Sequence, residues 1–136
     1  MLASIELSSG NDIQQSASLN GRLIGATDEE IEAAVGVVRA VAEHPVMRRA
    51  AARSVDELRR ETPVMLRLED GTIAEGVVDL AFPDNAPGFA GWTIVDFKTD
   101  GEFAASSDRY ISQVKLYAEA IGNLMNVPTQ GFLLVV

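Results

Sequence analysis

The runs EGVVDLAF (residues 75–82) and GWTIVDFKTD (residues 91–100) decide the fold of this chain. Both are rich in β-branched and aromatic residues, which favour strands. The segment PDNAPG (residues 83–88) lies between them and is rich in residues that form turns. The sequence therefore predicts two strands joined by a loop.

Each of these predicted strands carries one acidic residue in a setting that otherwise resembles a core. These residues are Asp79 and Asp96, and Lys98 follows two positions after the second. Because side chains alternate between the faces of a strand, Asp96 and Lys98 point the same way. Charges in an apolar setting are costly unless they are paired or bound to a metal ion. This cost is the first indication of a functional site.

The composition is that of an ordinary soluble globular protein, and the length predicts a single domain. The chain has 136 residues, of which 47% are hydrophobic and 23% charged. No apolar run approaches the ~18 residues of a membrane span, and the first residues lack the features of a signal peptide. The absence of cysteine excludes disulfides and thiolate metal sites. We expect a cytoplasmic location.

The net charge of −9 argues against unaided DNA binding, because proteins that hold DNA alone usually present clustered lysine and arginine. The one basic cluster lies between residues 48 and 60, and Arg59 and Arg60 are its best candidates for phosphate contacts. A solvated helix face is the alternative interpretation of this cluster. If nucleic acid is the substrate, metal ions or other protein must supply most of the affinity.

The first half of the chain predicts a loop-rich segment followed by helices. Residues 1–26 are mostly polar and are predicted to be loop-rich or poorly ordered. Thr27 and Glu30 form a capping box that begins a helix, and His44-Pro45 ends it, so we interpret His44 as a helix-end residue. A short helical piece follows, and residues 61–68 then change to the period of a strand.

The second half predicts a strand, a long helix and a final strand. The helix spans residues 107–125, and residues 131–136 are apolar on both faces, as in a buried central strand. Strand–helix–strand order is a βαβ crossover, so the last strand should run parallel to its neighbour. The predicted fold class is α/β: a mixed sheet of four or five strands flanked by helices.

Two carboxylates on adjacent strands can share a hard divalent cation such as Mg²⁺, which prefers oxygen ligands. A lysine beside them can hold an attacking water, while the cation neutralises charge that develops on a phosphate. This combination is what phosphodiester hydrolysis requires. Taken alone, Asp96 and Lys98 are better interpreted as a simple ion pair on one strand face, and only the flanking motifs favour a site.

Three motifs occur in the order expected of one nuclease family: EGVVDL (residues 75–80), VDFKT (residues 95–99) and QVKLY (residues 113–117). Together they resemble the PD-(D/E)XK nuclease superfamily, in particular the RecB/AddA-type nuclease domain of exonuclease V helicase–nuclease subunits. The resemblance covers roughly residues 27–136. It implies a restriction-endonuclease-like core for that domain.

The resemblance also implies a role for each matching residue. Asp79 and Asp96 would be metal ligands together with the Phe97 main-chain carbonyl, and Lys98 would be the catalytic lysine. The family's Q-x-x-x-Y motif maps to Gln113 and Tyr117, which are neighbours on one helical face. The family also has an acid before the first core strand that helps to order the site, and this acid maps to Glu61. Tyr117 also fits the apolar stripe of its helix, and Glu61 could be an exposed strand-start acid.

By resemblance, the chain is expected to be a Mg²⁺-dependent exodeoxyribonuclease in which Mn²⁺ can substitute. Its role would be double-strand-break processing in DNA repair and recombination. Its expected partners are single-stranded DNA or duplex ends, helicase domains of the same parent chain and a second helicase–nuclease subunit, with no membrane.

The family's G-T-x-x-H motif, whose histidine is a further metal ligand, has no match in this sequence. We therefore expect a fragment of a larger protein, whose activity can depend on that upstream helix. The alternative from another class is a non-catalytic nuclease-like scaffold or DNA-end-binding module. Hydrolysis of a small phosphate ester is a poorer alternative, because no phosphate-cradling glycine loop accompanies the acids.

Overall fold

The computed structural model describes residues 10–136, with side chains from residue 14 onward. It consists of two compact units, separated in sequence between Ala52 and Arg53. The first unit is helical, and the second contains a four-stranded mixed sheet and a long helix. The predicted α/β class is confirmed. Within residues 10–136, no helix is both long and apolar enough to cross a membrane.

The helical unit contains α1 (Gly10–Leu23), α2 (Asp28–Glu43) and α3 (Pro45–Ala51). The predicted capping box begins α2: the Glu30 N–H donates to Thr27 Oγ1 at 3.2 Å, and the Thr27 N–H donates to Glu30 Oε2 at 2.7 Å. His44 follows α2 and caps α3, because its Nδ1 accepts from the Val46 N–H at 3.2 Å. His44 is thus a helix-end residue, as predicted.

Helix α1 corrects the prediction that residues 1–26 are loop-rich, which is wrong for Gly10–Leu23. Residues 1–9 lie outside the described part of the chain. The helix is polar, but Ala17 is 1% exposed and packs in a cluster with residues of α2. At Gly21, an added Cβ would lie only 2.5 Å from the Cγ1 of Ile31. Small residues that permit close helix packing stabilise α1, and this stabilisation comes from tertiary contact rather than from local propensity.

The sheet has the order β1-β2-β3-β4. Strands β1 (Arg59–Arg67), β2 (Ile73–Ala86) and β3 (Phe89–Lys98) form an antiparallel meander. A 3₁₀ turn at Val55–Glu57 precedes β1. The fourth strand, β4 (Thr129–Val135), runs parallel to β3, as the βαβ prediction requires.

The predicted loop at residues 83–88 is wrong, because β2 continues to Ala86 and only Pro87 and Gly88 connect it to β3. Gly88 has φ +78°, a conformation that favours glycine. The hairpin extends this far because Asp84, which looks like a turn residue in sequence, accepts a hydrogen bond from the buried Thr93 hydroxyl at 2.7 Å.

Helix α4 (Asp100–Met125) begins seven residues before the predicted start at residue 107. Thr99 and Glu102 form a second capping box, with the Glu102 N–H donating to Thr99 Oγ1 at 3.2 Å. Ser106 is non-helical (φ −153°, ψ 43°), so a kink falls next to the predicted start. The capping box begins the helix at Asp100 although a glycine and two serines follow.

Helix α4 covers one face of the sheet and builds the core of this unit. Its residues Tyr117, Ala120 and Ile121 pack in one cluster with Val64 and Leu66 of β1 and with residues of β2 and β3. The prediction that the last strand is central is wrong: among the described residues β4 pairs with β3 alone and is an edge strand. Its apolar sequence reflects partial cover by α4 instead.

Candidate active site

Strands β2 and β3 separate at the position of the two predicted acids. Their pairing runs from the hairpin turn to the pair Leu80–Val95 and ends there. Beyond this point β2 pairs with β1, and β3 pairs with β4. Asp79 and Asp96 are the first residues past the last pair. We call this divergence the sheet fork.

The two aspartates meet at the sheet fork. Asp79 accepts a hydrogen bond from the Phe97 N–H at 2.9 Å, so its carboxylate bridges the separating strands. Asp96 is 2% exposed, and its Oδ2 lies 3.2 Å from Lys98 Nζ. The geometry of this ion pair is not that of a hydrogen bond, and Asp96 Oδ2 has no hydrogen-bond partner among the described residues.

Electrostatics at the sheet fork disfavour two negative charges. Burial and the neighbouring Asp79 carboxylate raise the pKa of Asp96 to about 6, although Lys98 opposes the shift. Burial and a like charge are two of the causes that raise the pKa of a carboxyl group. Lys98 therefore offsets the effects of burial and of Asp79 only in part.

Lys98 contacts both an acid and an aromatic ring. Its Nζ lies 3.2 Å from Asp96 Oδ2 and 4.8 Å from the centre of the Tyr110 ring. Partial burial favours the neutral amine, but the carboxylates of Asp96, Asp79 and Glu102 outweigh it and raise the pKa of Lys98. Lys98 is thus positively charged at neutral pH.

Tyr117 lies close to the acids and is 8% exposed. Burial and the charge of Asp96 raise the pKa of its hydroxyl, and a hydrogen bond to the Val77 main chain opposes the shift. The hydroxyl lies directly over Gly76, where an added Cβ would overlap the ring. Gly76 is required here by the close approach of Tyr117.

Gln113 lines a cavity between α4 and β1–β2, together with Tyr117. Its Oε1 is buried and has no hydrogen-bond partner among the described residues. The predicted neighbour relation of Gln113 and Tyr117 on one helix is therefore present. Among the described residues, no hydrogen bond or ion pair joins Gln113 to Asp96 or Lys98. The role of Gln113 in positioning Lys98 stays a prediction.

Glu61 lies in β1 opposite the sheet fork. The β1–β2 pairing includes Arg60–Leu80 and Thr62–Val78 and skips the intervening position, where Glu61 faces Asp79 along the register. Glu61 is exposed and has φ +46°, an unusual backbone conformation for a residue with a Cβ. Backbone strain of this kind is often found at functional sites.

The predicted phosphate contacts, Arg59 and Arg60, lie at the start of β1. The Arg59 guanidinium donates to the Asp56 carbonyl at 2.7 Å and lies 6.0 Å from the centre of the Trp92 ring. Arg59 is thus already engaged with its own chain. Arg60 is half-buried, and its role in phosphate binding stays a prediction.

The acid pair fits a hard cation in part. Asp79 and Asp96 offer carboxylate oxygens, one of them buried without a hydrogen bond, which is the donor chemistry of Mg²⁺. No cluster of three or more acidic, histidine or cysteine side chains suited to a metal ion occurs among the described residues. The Phe97 carbonyl stays a predicted further ligand.

The sequence analysis did not identify Tyr110 or Glu102 as site residues. Tyr110 lies three residues before Gln113 and seven before Tyr117, so helical spacing puts all three on one face. That helical spacing could have identified Tyr110 from the sequence. Glu102 could also have been identified, since the pattern T-x-x-E after the strand is that of a capping box.

No protein-family model matches this chain, and no curated protein is similar enough to it to count as a relative.

Proposed function

We propose that this chain is a metal-dependent DNA nuclease module, which hydrolyses phosphodiester bonds during double-strand-break processing within a helicase–nuclease. The observation that carries the proposal is the acid pair at the sheet fork, with Asp96 Oδ2 buried and lacking a hydrogen-bond partner among the described residues. Two carboxylates placed together beside a single lysine are costly, because one ammonium group does not offset both charges.

Asp79, Asp96 and the Phe97 carbonyl would hold Mg²⁺, or Mn²⁺ in its place. When bound, the cation supplies positive charge at the phosphate and lowers the pKa of a coordinated water. Asp79 is fixed by the Phe97 N–H, which sets its carboxylate before substrate arrives. This preorganisation matters because the geometry of a site must be held closely for efficient catalysis.

Lys98 would stabilise the negative charge that develops on the phosphate and orient the attacking water. Its raised pKa keeps it charged at neutral pH. The ion pair with Asp96 and the contact with the Tyr110 ring restrict the long side chain, so little freedom remains to be lost on substrate binding. The net charge of −9 is compatible with DNA that is delivered by motor domains or a partner subunit.

The test is cleavage of single-stranded DNA with and without Mg²⁺. Lys98→Ala should lower the rate by about 10²–10³-fold, the usual effect of removing one charge-stabilising group. The chain has a second lysine, the exposed Lys115, and Lys115→Ala is the matched control that should retain the wild-type rate. Equal cleavage by both variants would refute the assignment of Lys98.

A non-catalytic scaffold or DNA-end-binding module is the second candidate. It is favoured by the absence of a cluster of three metal-binding side chains in residues 10–136. This alternative predicts that calorimetry detects DNA binding, with no metal-dependent cleavage at any Mg²⁺ or Mn²⁺ concentration. Metal-dependent cleavage that is lost in Lys98→Ala would exclude it.

A further inference from the structure

Lys98 has two partners of different kinds beside the sheet fork. Its Nζ lies 3.2 Å from Asp96 Oδ2 and also lies over the Tyr110 ring, 4.8 Å from the ring centre. The first partner is an acid and the second is neutral. A cation is attracted to the face of an aromatic ring by the ring quadrupole, so the second contact does not depend on the charge of a carboxylate.

The contact with Asp96 depends on a charge that the proposed site uses for another purpose. Asp96 is a proposed ligand of a divalent cation as well as the ion-pair partner of Lys98. When the charge of Asp96 is neutralised, by a proton or by a cation, its Coulomb attraction for Lys98 weakens. A lysine held by this ion pair alone would then be free to leave the fork at the step that needs it.

The elements that carry Lys98 and Tyr110 hold the two residues close together. Lys98 is the last residue of β3, and Thr99 begins α4 at once through its capping box with Glu102. The Lys98 carbonyl also accepts a hydrogen bond from the Val136 N–H at 2.8 Å. The main chain at Lys98 is therefore fixed, and the Tyr110 ring limits where its side chain can go.

The structure gives Tyr110 a contact with Lys98 rather than a place in the core. Tyr110 is half-buried, and the core cluster that α4 builds with the sheet includes Tyr117 but not Tyr110. The Lys98 side chain is only 19% exposed. A cation–π contact is stronger where the cation has lost water, so partial burial of Lys98 strengthens this contact.

We propose that Tyr110 is a positioning residue that retains Lys98 at the acid pair when the charge of Asp96 is neutralised. The inference rests on the proposed nuclease function and assigns to it a residue that lies outside the three sequence motifs. Tyr110 acts through Lys98 and not on the substrate. The contact uses the face of the ring, so phenylalanine should replace tyrosine without loss.

Nuclear magnetic resonance tests this role without DNA or metal. Lys98 and Lys115 are the only lysines of the chain, so ¹³C-labelled lysine gives one Cε signal from each, and the exposed Lys115 is the internal reference for a mobile side chain. The order parameter of Lys98 Cε should exceed that of Lys115 in wild type, Tyr110→Phe and Asp96→Asn. In Tyr110→Leu it should fall to the value of Lys115.

Cleavage kinetics test whether the contact serves the reaction. Tyr110→Leu should lower kcat for metal-dependent cleavage of single-stranded DNA by about three- to thirtyfold, the range expected for one cation–π contact. KM should change little, because Lys98 is proposed to act on charge that develops during the reaction. Tyr110→Phe should keep both constants. Circular dichroism checks folding, and the order parameter in Asp96→Asn provides the test if Tyr110→Leu does not fold.

Three results would overturn the inference: a Lys98 that stays rigid in Tyr110→Leu, a Lys98 as mobile as Lys115 in Asp96→Asn, or a kcat of Tyr110→Leu no lower than that of Tyr110→Phe. The first two would mean that the acids hold Lys98, and the third that the ring does not serve catalysis. Failure of the nuclease proposal is distinguishable, because wild type would then show no metal-dependent cleavage, whereas the order parameters are measured without metal.

Discussion

Asp84 and Asp96 are buried aspartates at opposite ends of the same β2–β3 hairpin, 4% and 2% exposed. Asp84 accepts from the Thr93 hydroxyl at 2.7 Å, and Thr93 Oγ1 in turn accepts from Gln130 Nε2 at 3.0 Å. Asp96 instead faces the Asp79 carboxylate, and one of its oxygens has no hydrogen bond from a described residue.

The difference shows that burial of an acid does not by itself indicate a functional site. At the hairpin end the Thr93 hydroxyl donates to the carboxylate of Asp84, which supports strand pairing where the sequence suggests a turn. At the fork end, burial and a second acid raise the pKa of Asp96 although Lys98 lies 3.2 Å away, so the ionised acid pair is unfavourable unless further positive charge is bound. Sites where local stability is sacrificed in this way are candidates for function.

The largest predicted effect is the pH dependence of stability that Asp96 causes at the fork end. The pKa of Asp96 is raised from 3.8 to about 6, so the folded state holds a proton between these values that the unfolded state has lost. Asp96 therefore contributes stability below about pH 4, and this contribution is lost as pH rises through about 6. Two pKa units correspond to about 3 kcal/mol. Urea denaturation from pH 4 to 8 measures it.

Asp96→Asn isolates this contribution, since the amide resembles the protonated acid. The variant should be more stable than wild type at pH 7.5 and similar to it at pH 4. Saturating Mg²⁺ should stabilise wild type at pH 7.5, by about 2.7 kcal/mol at a hundredfold excess over Kd, and should stabilise the variant much less. If Asp96→Asn destabilises the chain at pH 7.5, the acid pair is not under electrostatic strain.

The next effect tests the hairpin end. Thr93→Val preserves shape but removes the hydroxyl that links Asp84 to Gln130, and we expect a loss of about 1–3 kcal/mol in the free energy of unfolding. Thr62→Val should cost less, because its half-buried hydroxyl makes one 3.3 Å bond to a carbonyl. Thermal or urea denaturation compares the two, and equal losses would contradict the structural role of the Asp84 network.

The sequence was most informative where periodicity and caps act locally. The strand period, the Thr27 capping box and the βαβ order predicted the α/β class and the parallel last strand. The extension of β2 past Pro83 was not predictable, because it depends on a hydrogen bond between residues in different strands. For the site, the alternation of side chains predicted that Asp96 and Lys98 share a face of the strand. The end of the β2–β3 pairing at Leu80–Val95 was not predictable, because it depends on how all four strands pair in the sheet.

The smallest effect contrasts residues of positive φ at the two ends: Gly88 with φ +78° at the hairpin turn, and Glu61 with φ +46° opposite the sheet fork. A side chain at such a φ costs about 1–2 kcal/mol, and glycine in a strand costs about 0.5–1 kcal/mol in entropy. Glu61→Gly should therefore stabilise the chain by about 0.5–1 kcal/mol, whereas Gly88→Ala should destabilise it.

Glu61→Gln is the control that keeps the backbone strain and removes the charge. If Glu61 orders the site, both Glu61 variants lower metal-dependent cleavage, and only Glu61→Gly raises the free energy of unfolding. A loss of stability in Glu61→Gly would show that the backbone is not strained at this position.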